Sequence, residues 1–441
     1  MTGASGITAG SGITAGGTAG GTDGTSVGSA SDSQGDSGGI KFDVLNPDGG
    51  GGPGDCTGGG GGGGGGMPEF SYIWIANSPE GTVSKIDTRT GVELGRYVTG
   101  PEAERQPSRT SVNLVGDAVV VNRGSLSGGP GSITMIAAVE ERCVDKNNNG
   151  MIDTSTGPAD VKPWGQDECV LWNHFIPSTV YQQGPRPVAW EGTVDQGGCA
   201  LPNPRVWVGY FDGAANTGVF RRLDGATGQQ LDEVTVPNWS GLSYGPYGGA
   251  VTKEGDFVVI GWQLGPLVRI DADTLQVDRW PFPQPPQVQQ AWSYGMALDP
   301  DGNPWVASAG SAVGFDFATQ QWTVIPTTNQ SMRGVMVDRE WRAWYAVDAS
   351  ASFGCGLAVV DTQTKTLIQD LVSLPGCVTP VGVSIDVDGY VWVVDQGANL
   401  AFKVDPDTYQ VELTVTGLVQ PYTYSDMTGG GLGLVVNPPQ G

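Results

Sequence analysis

The apolar residues of this chain recur in short runs that are separated by turn residues. Typical runs are Ile73-Trp74-Ile75, Val206-Trp207-Val208 and Val391-Trp392-Val393, with Gly, Asp, Asn or Pro on either side. Short runs of β-branched and aromatic residues between turn signals predict β-strands, and no segment shows the 3.6-residue period of an amphipathic helix. The pattern therefore predicts an all-β protein.

One turn motif, Asp-x-x-Thr, follows a strand at six places. Its aspartates are Asp87, Asp224, Asp271, Asp316, Asp361 and Asp405. An aspartate that accepts hydrogen bonds from its own turn backbone, between two apolar runs, predicts a β-hairpin. The motif thus indicates a repeated supersecondary unit.

Two more strands precede each hairpin turn, and the residues after the turn supply a fourth strand. The first strand of a unit starts at a glycine, as at Gly248, Gly295, Gly334 and Gly382. Four antiparallel strands in a repeat of about 40–50 residues predict a β-propeller blade. A parallel β-helix, the alternative, would need repeats of roughly half that length.

Counting the repeats predicts a seven-bladed β-propeller. Blade 1 starts at Phe70, blade 2 covers about 106–180 with an insertion at 138–170, and the others begin near 185, 246, 293, 332 and 380. Blade 1 lacks an innermost strand, and Pro421–Asp426 is a spare strand at the C-terminus. Lending that strand to blade 1 would close the ring and remove the exposed sheet edges.

The first 66 residues differ from the rest in composition. They consist mostly of Gly, Ser, Thr, Ala and Asp, and end in nine consecutive glycines, Gly58–Gly66. Such a segment buries too little apolar surface to offset the entropy of ordering it. Residues 1–66 are therefore predicted to be a disordered, flexible tether, and residues 67–441 to form the propeller.

Charge and composition exclude two classes of function. The chain has 22 Lys and Arg against 46 Asp and Glu, a net charge of −24, which would repel a nucleic-acid backbone. No stretch approaches the ~18 apolar residues that a membrane-spanning helix needs. We expect a monomer whose partner is a small ligand or a cell-surface component.

The blade pattern Gly-x-x-x-Asp-x-x-Gly-x-x-Trp-Val, followed by Lys-Ile-Asp-x-x-Thr-Gly, resembles NHL-repeat and virginiamycin B lyase-like (streptogramin lyase-like) propellers over roughly 70–428. For such a lyase the resemblance implies a histidine base near a metal in the central channel. The single histidine, His174, lies in the predicted outermost strand of blade 2, far from the axis. A metal-dependent lactonase would instead need carboxylates at the starts of the innermost strands.

One segment of the insertion matches the start of an EF-hand or dockerin-type calcium loop. Oxygen-bearing side chains alternate through it, glycine stands at position 6, and Thr156 replaces the usual Glu at position 12. The predicted ligands of a structural Ca²⁺ are Asp145, Asn147, Asn149, Met151 through its carbonyl, and Asp153. A further carboxylate is expected from Asp160, Asp167 or Glu168, and the alternative is an Asn/Gly turn without an ion.

The residues at the mouth of the innermost strands are rich in Arg and Tyr. In blade order from blade 2 they are Arg109, Arg186, Tyr247, Tyr294, Arg333, Val381 and, from the spare strand, Tyr422. Arginine binds carboxylate or sulfate and tyrosine stacks on rings, so the six Arg and Tyr residues predict a site for a small anionic or saccharide-like ligand. In the alternative, loop carboxylates such as Asp212, Asp348 and Asp395 already pair with the arginines.

The cysteines favour an oxidising compartment. Cys143 and Cys169 bracket the insertion and Cys355 and Cys377 lie within one repeat, which suits two structural disulfides, while Cys56 and Cys199 remain. We expect an extracytoplasmic protein, secreted or lipid-anchored, whose leader is not visible. The expected function is a non-enzymatic binding or scaffold propeller. The alternatives are the lyase or lactonase, or an interaction protein that uses its loops alone.

Overall fold

The computed structural model describes residues 71–124, 128–193, 201, 203–239, 244–350 and 354–436. The predicted tether 1–66 and the cysteines Cys56 and Cys199 lie outside these residues. The account below concerns the described part of the chain.

Seven antiparallel sheets make up the structure. Blade 1 holds β1 (Tyr72–Asn77), β2 (Thr82–Asp87) and β3 (Glu93–Val98); blade 2 holds β4 (Pro107–Val112), β5 (Ala118–Asn122), β6 (Gly131–Ile136) and β7 (Val170–Ile176). Blade 3 holds β8 (Val188–Trp190), β9 (Arg205–Asp212), β10 (Thr217–Asp224) and β11 (Gln230–Val236); blade 4 holds β12 (Pro246–Val251), β13 (Phe257–Gly261), β14 (Leu267–Ile270) and β15 (Val277–Trp280). Blade 5 holds β16 (Met296–Leu298), β17 (Pro304–Ser308), β18 (Ser311–Asp316) and β19 (Gln321–Pro326); blade 6 holds β20 (Met332–Val337), β21 (Arg342–Val347), β22 (Gly356–Asp361) and β23 (Thr366–Ser373). Blade 7 holds β24 (Pro380–Ile385), β25 (Val391–Asp395), β26 (Leu400–Val404) and β27 (Val411–Val415).

Within each sheet the strands pair in chain order, which is the arrangement of a propeller blade. The predicted seven-bladed propeller is therefore confirmed, with blade starts within a few residues of those expected. Two short 3₁₀ helices lie in the connections, at Glu140–Arg142 and Tyr181–Gln183.

Blade 1 is completed by the C-terminal segment, as predicted. Pro421 forms an antiparallel bridge with Asn77, and the Tyr422 N–H donates to the Ala76 carbonyl at 2.9 Å. The Ala76 N–H, however, donates to the Thr423 hydroxyl at 2.9 Å where a regular strand would offer a carbonyl. The segment therefore closes the ring as an irregular strand.

A seven-residue helix, α1 (Gly430–Val436), follows this segment and was not expected from the sequence. The backbone before it lies beside Asn113 and Ile385, which are at the C-terminal ends of innermost strands. Leu432, Leu434 and Val435 are buried in three separate clusters of the core. The helix thus covers the end of the channel that lies opposite the predicted mouth.

The repeated motifs have structural roles. The second-strand tryptophans Trp74, Trp207, Trp305, Trp344 and Trp392 are all buried. The Asp-x-x-Thr aspartates accept bonds from their own turns; Asp271, for example, accepts from the Thr274 N–H at 2.7 Å and the Thr274 hydroxyl at 2.8 Å. These contacts explain why the motifs recur in almost every blade.

The two predicted disulfides are present. Cys143 pairs with Cys169 and Cys355 pairs with Cys377. The first closes the insertion between β6 and β7, and the second joins the loop before β22 to the connection between blades 6 and 7. Among the described residues, no helix is long and apolar enough to cross a membrane.

Candidate functional site

The innermost strands bring the predicted mouth residues to one end of the channel. Arg109 lies in β4, Tyr247 in β12 and Arg333 in β20, each near the start of its strand. Tyr294 lies two residues before β16, and Tyr422 belongs to the closing segment. Because innermost strands are equivalent around a propeller axis, residues at their starts face a common space.

That space is a cavity of about 460 Å³ with an Arg-rich and aromatic lining. Of the six predicted residues, five line it: Arg186, Tyr247, Tyr294, Arg333 and Tyr422. The loops add the charged and aromatic side chains Arg123, Tyr181, Tyr244, Trp262 and Trp292. The sixth predicted residue, Arg109, lies below the tyrosines and does not line the cavity.

Arg186 is 1% exposed and holds the wall formed by the loop before blade 3. Its guanidinium donates to the carbonyls of Tyr181, Gln182 and Gly184, at 3.1, 2.8 and 2.9 Å. Its central carbon lies 4.7 Å from the ring centre of Tyr244. Burial lowers the pKa of Arg186 because no carboxylate among the described residues pairs with it.

Arg109 is also buried without a described carboxylate. It stacks on Tyr424, donates to the Tyr247 carbonyl at 3.4 Å, and leaves its Nε without a described partner. Burial lowers its pKa to about 9. Arg109 therefore contributes positive potential beneath the cavity floor.

Arg333 differs from the other two. Its Nε donates to Asp348 at 2.7 Å, and a second guanidinium nitrogen contacts the same carboxylate oxygen. Asp348 is fully buried, so this arginine is paired within the protein. For Arg333, the structure therefore has the second predicted arrangement, in which a loop carboxylate pairs with the arginine.

The other loop carboxylates do not pair with the arginines. Asp212 accepts the N–H groups of its own turn at Ala214 and Ala215, and Asp395 accepts those of Val378 and Thr379. Both carboxylates therefore accept hydrogen bonds from backbone N–H groups of loops, which is a structural role.

Three tyrosine hydroxyls meet at the cavity floor. The Tyr422 hydroxyl lies 2.5 Å from that of Tyr294 and 3.4 Å from that of Tyr247. Burial raises the pKa of Tyr247 and Tyr294. Burial alone would also raise the pKa of Tyr422, but the nearby Arg123 and Arg109 lower it below its ordinary value.

Sequence reasoning missed the aromatic wall. Tyr244 packs edge-on against Trp262 at 4.6 Å, Trp262 lies 5.7 Å from Trp292, and Trp292 stacks parallel to Tyr294. The one available signal was that Trp262 and Trp292 stand in loops, outside the second-strand position used for core packing. The wall gives the site large flat apolar faces beside its guanidinium groups.

His174 lies in β7, the outermost strand of blade 2, as expected. Its Nε2 is 3.3 Å from an Arg221 nitrogen, and burial together with Arg221 lowers its pKa. Within the described ranges, one group of three His, Cys, Asp or Glu atoms lies close enough for a metal, Cys355, Cys377 and Asp395, but its sulfurs form a disulfide.

The insertion folds its predicted calcium ligands into one loop. The side-chain amides of Asn147 and Asn149 lie 2.7 and 2.9 Å from the Asp153 carboxylate, and Asp145 accepts the Gly150 N–H at 2.9 Å. Gly150 has a φ of 82°, which a glycine at position 6 permits.

The expected last ligands are engaged in other bonds. Glu168 accepts N–H groups from Lys146, Asn147 and Asp153, which ties the loop closed. Asp160 accepts bonds from Thr156 and Lys162, and Asp167 accepts from Thr154, Ser155 and Cys169. The four side chains Asp145, Asn147, Asn149 and Asp153 thus converge without a carboxylate contact from Asp160.

No protein-family model and no curated protein matches the sequence. Solved propellers are similar in structure: a streptogramin B lyase is 16% identical over 75% of this chain and 91% of its own, with a TM-score of 0.50. A protein from Lactobacillus plantarum is 13% identical over 80% of this chain and 98% of its own, with a TM-score of 0.51. Virginiamycin B lyase from Staphylococcus aureus is 14% identical over 72% and 87%, with a TM-score of 0.47. At these identities the similarity is one of fold, and the expected resemblance is confirmed at that level.

Proposed function

We propose that this protein is an extracytoplasmic binding propeller whose channel mouth binds a small anionic or saccharide-like ligand without chemical conversion. The observation that carries this proposal is the pair of buried arginines, Arg109 and Arg186, which have no described carboxylate partner. A buried cation without a counter-ion is costly, and an anion in the cavity would offset that cost.

The aromatic wall supports a ligand with a flat or ring-shaped body. Trp262, Trp292 and Tyr294 line the cavity, and aromatic side chains in such a lining bind the apolar sides of sugars and aromatic rings. A sugar acid or an aromatic acid combines both features, because its carboxylate can reach a guanidinium while its ring packs on the wall.

The position of the single histidine favours binding over elimination chemistry. A lyase base would have to reach a ligand in the cavity, whereas His174 lies on the outer strand of blade 2. Arginine and tyrosine at the mouth supply recognition, and burial keeps the hydroxyls of Tyr247 and Tyr294 protonated near pH 7 by raising their pKa values.

Calorimetric titration with glucuronate and with benzoate tests the proposal. The parent should release heat with one or both acids, and Arg186→Gln and Trp292→Ala should each lose at least tenfold in affinity. Arg89→Ala removes the same charge at an exposed turn of blade 1 and should bind as the parent does. Equal affinity in all four proteins, or turnover of either acid, would sink the proposal.

We further propose that the 145–153 loop binds one structural calcium ion. Asp145, Asn147, Asn149 and Asp153 carry side-chain oxygens within one loop and Met151 carries a carbonyl, which is the hard-oxygen ligand set that calcium prefers. The insertion is closed by one disulfide and lacks a large core of its own, so an ion would order it.

Chelation tests the calcium proposal. Removing calcium with EGTA should lower Tm, since a ligand that binds the folded state stabilises it by mass action. Asp145→Ala should abolish the response and Asp160→Ala should retain it. Calorimetry that detects no heat of binding when calcium is added to the calcium-free protein would contradict the assignment.

The extracytoplasmic location rests on the two disulfides. Structural disulfides persist in oxidising compartments. Labelling of free thiols in protein taken directly from cells tests this part, because a cytoplasmic protein would expose Cys143 and Cys169 to the reagent.

A further inference from the structure

Three blades share a buried carboxylate at the end of the channel opposite the mouth. Asp299, Asp338 and Asp386 each follow the innermost strand of blades 5, 6 and 7. Each is at most 4% exposed.

The three carboxylates make the same hydrogen bonds. In each, Oδ1 accepts the N–H groups two and four residues later, at 2.9–3.1 Å. In each, Oδ2 accepts the indole N–H of the second-strand tryptophan: Trp305 at 3.1 Å, Trp344 at 2.8 Å and Trp392 at 2.8 Å. The hydrogen-bonding scaffold is therefore a true repeat.

The charge balance is not repeated. In blade 6 the Arg342 Nε donates to Asp338 at 2.7 Å, and in blade 7 the Lys403 Nζ lies 3.3 Å from Asp386. In blade 5 neither cation has an equivalent. Asn303 stands four residues after its aspartate, as Arg342 does in blade 6. Gly314 pairs with Trp305 across neighbouring strands, at the place where Lys403 pairs with Trp392 in blade 7. No basic side chain among the described residues forms an ion pair with Asp299.

A cavity of about 140 Å³ lies where the missing cation would be. Its walls include Asp299, Asn303, Trp305 and Gly314 from blade 5, and Trp341 and Thr362 from blade 6. Three further charged residues line the cavity: Asp301, Asp316 and the exposed Lys365. The pKa of Asp316 is lowered, chiefly by hydrogen bonds from its own turn and to a smaller extent by Lys365. Burial raises the pKa of Asp299 to about 6.

We propose that this cavity between blades 5 and 6 binds an organic cation, whose guanidinium or primary ammonium group takes the place that Arg342 and Lys403 occupy in the next two blades. Its head group would receive a charge-assisted contact from the free side of the Asp299 carboxylate and would lie against the Trp305 ring. The site lies opposite the mouth and is independent of the ligand proposed there.

Thermal unfolding and calorimetry with ethylguanidinium and ethylammonium at pH 8, against NaCl of equal ionic strength, test the proposal. At tenfold above Kd, either cation should raise the Tm of the parent by about 2 °C more than NaCl does. Asp299→Asn should lose this response. Asn303→Arg places the protein's own guanidinium in the cavity and should also lose the rise in Tm. This second variant keeps the proposal testable if Asp299→Asn does not fold.

Asp271→Asn removes one carboxylate at an exposed turn and controls for general attraction of cations to an acidic protein. It should respond as the parent does. A parent that responds to the cations no more than to NaCl, or an Asp299→Asn protein that responds fully, would overturn the site. Two sources of the cationic group can then be distinguished. Tighter binding of N-acetyl-Gly-Arg-Gly-amide than of ethylguanidinium would identify the natural ligand as an arginine side chain of a partner protein, and weaker binding would identify it as a free small cation.

Discussion

The two ends of the propeller channel bury opposite charges. At the mouth, Arg109 and Arg186 are buried against tyrosines and carbonyls without described carboxylates. At the opposite end, Asp338 and Asp386 are buried with a cation each, and Asp299 is buried with none. The repeat therefore supplies the same backbone scaffold in successive blades while the charges on it vary.

This difference shows where a bound ligand of opposite charge would stabilise the protein most. Taking a charge out of water costs several kcal/mol unless it is paired and hydrogen-bonded, so most buried charges in this protein carry a partner. Asp348 with Arg333 and Asp338 with Arg342 follow that rule. Among the described residues, Arg186 at the mouth and Asp299 in blade 5 lack a partner of opposite charge and border a cavity, which is why we place ligands there.

The largest expected effect comes from removing the segment that joins both ends. Truncation after Gly417 deletes the closing segment of blade 1 and helix α1, leaving β1 with an open edge and uncovering core residues. We expect destabilisation of more than about 5 kcal/mol, enough to abolish cooperative unfolding of the whole ring. Circular dichroism during heating measures it. A chain lacking only 437–441 is the control, and a truncated protein that melts with the parent would show that the ring does not depend on this closure.

A smaller effect is expected from unpairing Arg333, the mouth arginine whose guanidinium contacts a buried carboxylate. Asp348→Asn keeps an oxygen for the Ser350 N–H but leaves the Arg333 guanidinium without its carboxylate. Removing one partner of a buried pair costs about 3–5 kcal/mol, and urea denaturation measures it. The double variant with Arg333→Met should recover part of the loss. No recovery in the double variant would mean that Asp348 acts through its loop and not through Arg333.

The sequence predicts the scaffold well because the scaffold repeats. Asp-x-x-Thr turns and second-strand tryptophans recur with the blade, so their register gives the strands, the seven blades and the positions of the mouth residues. Disulfides follow from the spacing of Cys143 with Cys169 and of Cys355 with Cys377. All of these are local or periodic features.

What the sequence could not give depends on contacts outside the repeat. Trp262 and Trp292 lie in loops whose lengths differ between blades, so no register places them at the mouth. The pairing of Arg333 with Asp348, and its absence for Arg186, depends on side-chain directions that spacing does not determine. Helix α1 has only seven residues and three glycines, which is too short for a periodic signal.

The smallest expected effect sharpens the comparison at the Asp299 end. The pKa of Asp299 is about 6 in the folded protein and ~3.9 in the unfolded chain, so the folded state binds the proton more tightly. The stability that this proton contributes is therefore present below pH 4 and is lost as the pH rises through 6. Asn303→Arg supplies a cation and should lower that pKa, which stabilises the protein by about 1–2 kcal/mol at pH 8 and by nothing at pH 4. Asp301, Asp316 and Lys365, which line the same cavity, are the same residues in both proteins. The reverse exchange in blade 6, Arg342→Asn, should show the opposite sign, with a loss of stability that is greater at pH 8. Urea denaturation at both pH values measures the differences, and a gain for Asn303→Arg that is equal at pH 4 and pH 8 would mean that the new side chain acts by packing rather than by balancing the Asp299 charge.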